Sequence, residues 1–273
     1  MVAHRRSPAE QPQVGRAVRD YTTVTEAPGN RVTREALAML CTRYMYAASF
    51  CHGMDVLEVA CGAGQALRFL KKNAKMVVGG DYTAHLLRAA KRHCDTTTPL
   101  VQLDAHTLPF QDHSFDVLIL YEALYYLSHP ERFVEESHRV LRQGGILLIC
   151  TVNREWSDFN PSPYSQRYLS ARELTDLLRR HRFQAELRGA FPVRQTGTRD
   201  IVISALKRVV VALHLMPKTM RGKEFLKRVF FGQLVQLPEE IADSIADYAQ
   251  PVLLTSDSVT SQYKVLYAVA QAR

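Results

Sequence analysis

Apolar positions change their period along the chain. After Thr33-Arg34-Glu35 they recur at Leu37, Leu40, Cys41, Tyr44, Ala47 and Ala48, a spacing that predicts an N-terminal helix. The pattern then alternates. MDVLEVA (54–60) predicts a strand and GQALRFLKKN a helix; KMVVGGD (75–81) predicts a second strand and TAHLLRAAKRH a second such helix. PLVQLDA (99–105) predicts the third strand, and SFDVLILY (114–121) the fourth, an apolar run suited to burial on both faces. HPERFVEESHRVLRQGG (129–145) predicts a helix ended by glycines, followed by a fifth strand at ILLICTV (146–152).

Beyond Val152 the segment NREWSDFNPSPYSQRYL holds the only tryptophan, Trp156, with Phe159, Tyr164 and Tyr168. A long aromatic loop at the functional end of a sheet suits a lid or a substrate wall. Ser170 and Glu173 form an S-x-x-E capping box before the helix ARELTDLLRRH. QAELRGAFPV (184–193) and QYKVLYAVA (262–270) then predict two strands that pair antiparallel at the sheet edge.

Strands alternating with helices imply parallel pairing and right-handed crossovers. The expected fold is α/β: a doubly wound, mostly parallel seven-stranded sheet with an antiparallel edge strand, an N-terminal helix and a helical insertion between the last two strands. Residues 1–20, polar and rich in Pro, Gln and Arg, are expected to be a flexible tail. Residues 21–273 form one domain, with its core at about 50–194 and 261–273 and the insertion at about 195–260. The insertion aligns Val202, Ile203, Leu206, Val209, Val210, Leu213 and Met216 on one helical face until Pro217. The basic stretch PKTMRGKEFLKRVFFG follows, and three fates fit it: a cap packed on the domain, a surface lying on anionic lipid, or self-association.

Composition narrows the setting. The 273 residues are 47% apolar and 23% charged, ordinary for a globular chain with a real core. A formal charge of +8 and a pI near 9.3 suit an anionic partner without choosing among nucleic acid, membrane surface and phosphorylated substrate. The five cysteines contain no CxxC pair, which disfavours a metal site or a disulfide scaffold and suits a reducing cytoplasm. The start, MVAHRRSPAEQPQVGR, lacks the apolar core of a secretory signal, and no apolar run is long enough for a bilayer span. A cytoplasmic protein is expected, peripheral at a membrane at most.

The stretch VLEVACGAGQAL carries the chemistry. Gly62 and Gly64 lie between a strand and a helix, where glycine permits a tight turn and close ligand approach. A dinucleotide fingerprint, G-x-G-x-x-G, started at Gly62 puts Leu67 at its third glycine, so that match fails. Taken as acidic-x-G-x-G-x-G, the stretch supplies Glu58, Ala60, Gly62 and Gly64, with alanine at the first glycine. Three more signatures follow in order: Asp81, which ends the second strand in VVGGDY, the run LDAHTLPFQDHSFD (103–116), and RVLRQGGILLI (139–149).

Together these resemble the class I S-adenosylmethionine-dependent methyltransferases, of the small-molecule, methyltransferase-11-like type, over roughly residues 50–190. Gln143 replaces the family's proline in the last motif, a change in a turn. The resemblance implies a Rossmann-like fold and S-adenosylmethionine as cofactor. It implies a cofactor site of Glu58, Ala60, Cys61, Gly62, Gly64, Asp81, Tyr82, Asp104, Ala105 and Tyr121. Asp81 would take the ribose hydroxyls, the alternative being a solvated strand-end acid. Asp104 would take the adenine amine, with Ala105 near the ring, and Glu58 would serve the cofactor's ammonium or the surrounding loop.

In YEALYY (121–126), Glu122 and Tyr121 are the catalytic candidates, Glu122 as proton acceptor and Tyr121 as wall. The alternative for Glu122 is an electrostatic role at a helix N-terminus, with the tyrosines packed. His113 and His129 sit in turns, where a lone histidine is more often simply solvated.

Because the cofactor's methyl group is already activated on a sulfonium, positioning can carry most of the catalysis. There is no N/D-P-P-Y after the fourth strand and no catalytic cysteine pair, and base-stacking aromatics interleaved with basic residues are not evident in the tail. The expected acceptor is therefore a small or glycan-type molecule methylated on oxygen or nitrogen, with nucleic acid disfavoured. A looser likeness of DYTTVTE, the W-x-x-F-N-P-S-P-Y loop and P-K-T-M-x-G-K to methyltransferases of surface polysaccharides and secondary metabolites leans the same way. The alternatives are a lipid- or quinone-like acceptor held at a membrane and a non-catalytic cofactor-binding scaffold.

Overall fold

The computed structural model describes residues 20–193, 233–255 and 257–273. The expected tail, the apolar helical face at 202–216 and the basic stretch at 217–232 lie outside the described residues.

Strand β1 (Arg31–Val32) precedes helix α1 (Arg34–Ala48), whose N-cap is the Thr33 hydroxyl accepting from the Ala36 N–H. Then come β2 (Asp55–Val59), α2 (Leu67–Lys71), β3 (Met76–Asp81), α3 (Ala84–Ala90), β4 (Leu100–Gln102) and β5 (Phe115–Tyr121). A short 3-10 turn at Leu124–Tyr126 leads to α4 (Pro130–Val140), β6 (Leu141–Val152), α5 (Ala171–Arg180) and β7 (Phe183–Pro192). Among the described residues, β8 (Val235–Gln236), β9 (Val252–Leu253) and β10 (Tyr263–Ala272) complete the order.

The main sheet has eight strands in the order β4-β3-β2-β5-β6-β10-β7-β9. The first five are parallel neighbours. Strand β10 runs antiparallel to both β6 and β7, and β9 adds an antiparallel pair on the outer edge. Strand order reverses between β2 and β5, and at such a switch point the carboxyl ends of neighbouring strands open a crevice.

Alternation along each buried strand builds two cores. Val56, Val77, Val117 and Ile119 face α1 and α2, whereas Leu57, Val59, Val78, Leu118 and Leu120 face α4 and α5.

Several boundaries differ from the expectation, the strand expected over 99–105 stopping at Gln102 among them, and the largest shift is at the end of α4. The helix expected over 129–145 stops at Val140, and its glycines lie inside β6 instead of capping the helix. Leu141 is buried and pairs with Phe115, while the Arg142 guanidinium bonds Asp116 at 2.7 Å and Asp55 at 3.0 Å. These contacts draw the chain along the sheet one turn early.

The described end of the insertion packs against the core. Strand β8 pairs with β1, Leu237 and Ile241 are buried beside α1, and the Gln65 side-chain amide donates to the Pro238 carbonyl at 2.7 Å. No helix among the described residues is long and apolar enough to cross a membrane.

The capping box forms as the spacing predicts: Ser170 Oγ accepts from the Glu173 N–H, and Glu173 accepts from the Ser170 N–H at 2.8 Å. Ser170→Ala is expected to cost about 1 kcal/mol and to lower the melting temperature by roughly 2–4 °C, measured by thermal denaturation.

Candidate active site

Two residues at the switch point hold left-handed backbone without being glycine. Ala60, just past β2, has φ 61°, and Glu122, just past β5, has φ 51°. Each ends a buried strand on the wall of one cavity, and side chains hold such backbone only where surrounding contacts over-determine it.

The glycine loop is tied down by acids and backbone. The Cys61 N–H donates to the Gly80 carbonyl at 3.0 Å. Asp81 accepts from the Gly62 N–H through Oδ2 and from the Thr83 N–H through Oδ1, both at 2.8 Å. Burial raises the Asp81 pKa, and these N–H groups oppose that shift. Gly62 has φ 57°, and a Cβ there would come within 3.0 Å of the Thr25 methyl.

Gly64 has φ 76° and faces away from the cavity, where a Cβ would sit 2.8 Å from the Ala90 Cβ. It seats the loop on α3. Glu58 also lies behind the cavity wall. The Tyr44 hydroxyl donates to its Oε1 at 2.7 Å, while its buried Oε2 has no partner. Burial pushes the Glu58 carboxyl up to about 7, with the Tyr44 hydrogen bond opposing and the neighbouring Asp81 adding to the rise.

The cavity measures about 920 Å³, and its walls include Ala60, Cys61, Gly62, Asp81, Tyr82, Asp104, Ala105, Tyr121 and Glu122. The structure thus brings all the sequence-predicted site residues except Glu58 and Gly64 to one surface. Cys61 is buried, and burial holds its thiol well above the usual range. A thiol kept protonated in this way is a poor nucleophile.

The far wall is aromatic and carries a charge cluster. Tyr125 stacks on Tyr168 with ring centroids 4.2 Å apart, and the Tyr126 hydroxyl meets Ser162 Oγ at 2.5 Å. Asn160, Pro161, Ser162, Pro163, Gln166 and Tyr168 put the expected aromatic loop on this wall. Trp156 lies off it, with the Lys264 ammonium 5.4 Å from its ring centroid.

Glu122 accepts from the Tyr125 hydroxyl at 3.1 Å and from the Cys150 thiol at 3.7 Å. Burial raises its pKa, and the charge of Arg43 opposes the rise. Arg43 is itself buried on the cavity wall, and its guanidinium bonds Glu26 at 2.7 Å.

The segment carrying Glu26 also places Tyr21 over the opening, 6.2 Å from the Tyr82 ring and 5.2 Å from the Tyr126 ring. Residues 21–26 therefore strap the cavity mouth beside the glycine loop.

Arg43, Glu26, Tyr44 and Tyr21 are absent from the sequence-derived site. Arg43 had a readable signal: it lies three residues after Leu40 and four before Ala47, a charge on the apolar stripe of α1. Glu26 and Tyr21 had none, since only the folded chain brings them to the mouth. His129 lines the cavity, whereas His113 bonds the Leu141 carbonyl through Nδ1 at 2.9 Å and does not.

A doubly wound sheet with a glycine loop at its switch point and an acid ending the neighbouring strand defines a nucleoside-cofactor-binding fold. Residues 57–149 match the family model of the methyltransferase domain. A "Probable S-adenosylmethionine-dependent methyltransferase" of Mycolicibacterium smegmatis is 35% identical over 152 residues, covering 52% of this chain and 57% of that protein. The phthiotriol/phenolphthiotriol dimycocerosates methyltransferase 1 of Mycobacterium ulcerans is 37% identical over 131 residues, 45% of this chain and 48% of that protein. The chain spans about half the length of the curated relatives it matches.

Among solved structures, a SAM-dependent methyltransferase from Thermotoga maritima superposes with a TM-score of 0.56 at 15% identity, covering 88% of this chain and 91% of that one. The cyclase SpnF superposes with a TM-score of 0.56 at 20% identity, covering 93% and 90%. Likeness at these identities concerns the fold alone. The core of this chain is thus similar to a methyltransferase domain, and the relatives that match it are named S-adenosylmethionine-dependent methyltransferases.

Two outcomes are expected from the loop. Ala60→Gly relieves a left-handed alanine and should stabilise the fold by roughly 1 kcal/mol, measured by denaturant unfolding. Glu58 has a folded pKa above its ordinary value of 4.5, so its contribution is fully present below pH 4.5 and is lost as pH rises towards about 7. Glu58→Gln should flatten that part of the stability–pH profile and gain on wild type from pH 5 to pH 8.

Proposed function

We propose that the protein transfers the methyl group of S-adenosylmethionine to an oxygen or nitrogen of a small-molecule acceptor. One observation carries this reading: a single cavity of about 920 Å³ joins the glycine loop, Asp81 and Asp104 to Glu122 and the tyrosine wall. Its residues suit the cofactor chemically. Asp81 offers a buried carboxylate beside the cavity-lining loop Ala60–Gly62, and Asp104 offers a second acid farther along the same wall. When bound, S-adenosylmethionine supplies a methyl group on a positively charged sulfur.

The chain's own residues then bind and align. Asp81 holds the sugar, and Tyr82 and Ala105 bound the ring. Tyr121 walls the middle of the cavity, and Tyr125, Tyr126 and Tyr168 exclude water from the acceptor end. Glu122 accepts the hydroxyl or amine proton of the acceptor on a carboxylate oxygen, with the Tyr125 hydroxyl and Arg43 supporting its charged form.

A lipid- or quinone-like acceptor is the second reading, and two observations favour it over a glycan. The cavity wall that carries Tyr125 and Tyr168 also carries Tyr21, Tyr126, Leu127 and Pro161, together with the polar Asn160, Ser162 and Gln166. Among the relatives, a demethylmenaquinone methyltransferase of Tropheryma whipplei is 31% identical over 99 residues, 36% of this chain and 41% of that protein.

Calorimetric titration with S-adenosylmethionine and its demethylated product, followed by a transfer assay over phenols, quinols, lipids and glycans, tests both readings. Asp81→Ala is expected to weaken cofactor binding at least about tenfold, as loss of charge-assisted hydrogen bonds does. Glu122→Gln is expected to lower kcat about 10²–10⁴-fold, the usual weight of a general base, with cofactor affinity near wild type. No binding by wild type would overturn the cofactor reading, and binding without transfer to any acceptor would favour the scaffold.

A further inference from the structure

The Asp104 carboxylate lies on the cavity wall beyond the end of β4, and its side chain is half exposed. One of its oxygens is already engaged. Oδ1 accepts from the His106 backbone N–H at 2.9 Å and meets His106 Nδ1 at 2.6 Å. On the other edge of the ring, His106 Nε2 accepts from the His129 N–H at 3.3 Å, with Ser128 Oγ at 3.4 Å.

These partners select one state of the imidazole. A carboxylate can only accept and a backbone N–H can only donate, so the proton sits on Nδ1 and the lone pair on Nε2. The ring is only one-fifth exposed, and it is wedged between Asp104 and the start of α4. His106 therefore spans two loops at the cavity wall and fixes the rotation of the Asp104 carboxylate. With Oδ1 committed to His106, Oδ2 is the oxygen left to meet a ligand.

We infer that His106 is a positioning residue that locks Asp104 with one carboxylate oxygen turned to the exocyclic amine of the cofactor's adenine. It thereby makes the site selective for an amino over an oxo substituent on the purine ring. The inference rests on the cofactor reading above. An oriented acceptor bonds an amine and repels a carbonyl oxygen, so the discrimination depends on the carboxylate being held still. The short hydrogen bond from Nδ1 at 2.6 Å and the backbone anchor at His129 supply that restraint. No proton is transferred in this role. His106 acts through Asp104 and touches neither acceptor nor reacting methyl group.

The test compares S-adenosylhomocysteine with S-inosylhomocysteine, its analogue carrying oxygen in place of the amine, by calorimetry on the full chain. Wild type is expected to prefer the amino compound. His106→Phe, which keeps a ring but loses both hydrogen bonds, is expected to weaken binding of the amino compound about tenfold. The oxo compound should bind nearly as before, so the preference collapses. His106→Asn keeps an amide donor for Asp104 and should restore most of the preference.

A purely structural role would lower affinity for both compounds together, and that result overturns the inference. So does a His106→Phe protein that keeps the wild-type preference. Wild type binding both compounds equally would remove the role of Asp104 and this inference with it, while leaving cofactor binding intact. Wild type binding neither would overturn the cofactor reading itself. Thermal melts of both variants accompany the titrations, and the His106→Asn result decides the matter if the phenylalanine variant is unstable.

Discussion

The Asp81 carboxylate joins the pieces on which the rest of the site depends. It ends β3, accepts the Gly62 N–H and the Thr83 N–H, and so clamps the glycine loop to the start of α3. A buried carboxylate is costly unless its lone pairs are met, and here two backbone N–H groups meet them. The same bonds fix the loop at the cavity wall. Neighbouring strands deliver the other parts in register: Asp81 lies beside Gln102, two residues before Asp104, and β5 carries Tyr121 and Glu122 past the end of β2.

Around this clamp the molecule tolerates several unfavourable features in one place. Ala60 and Glu122 occupy left-handed backbone, Glu58 keeps an unpartnered buried oxygen, and Arg43 is sunk beside two glutamates. Each would cost stability if isolated. They persist because β2, β3 and β5 are buried on both faces and cannot rearrange to relieve them. Their clustering at a strand-order reversal, where ligands enter sheets of this kind, is the physical argument for a working site.

Most of the framework was legible along the chain. Continuous apolar runs predict the buried parallel strands, and the Ser170–Glu173 spacing predicts its capping box. The failed third glycine at Leu67 removes the dinucleotide reading. The end of α4 was not legible, because what stops it at Val140 is the pairing of Leu141 with Phe115 and the ion pairs of Arg142 with Asp55 and Asp116. Those partners lie 26 or more residues away in sequence. Gly64 shows a subtler gap: its place in the motif suggests ligand contact, but its missing Cβ serves the packing of Ala90.

What the sequence by itself determined is the fold class, the glycine loop and the acids beside it, since each depends on residues close together or on strands of fixed period; the cofactor class came with the family resemblance. Only the tertiary structure decided which groups share the cavity. It turned Glu58 behind the wall, sank Arg43 opposite Glu122, drew Tyr21 and Glu26 across the mouth and set His106 between Asp104 and α4. The physical reason is that side-chain direction and burial depend on contacts between distant segments, and no local period or motif encodes them.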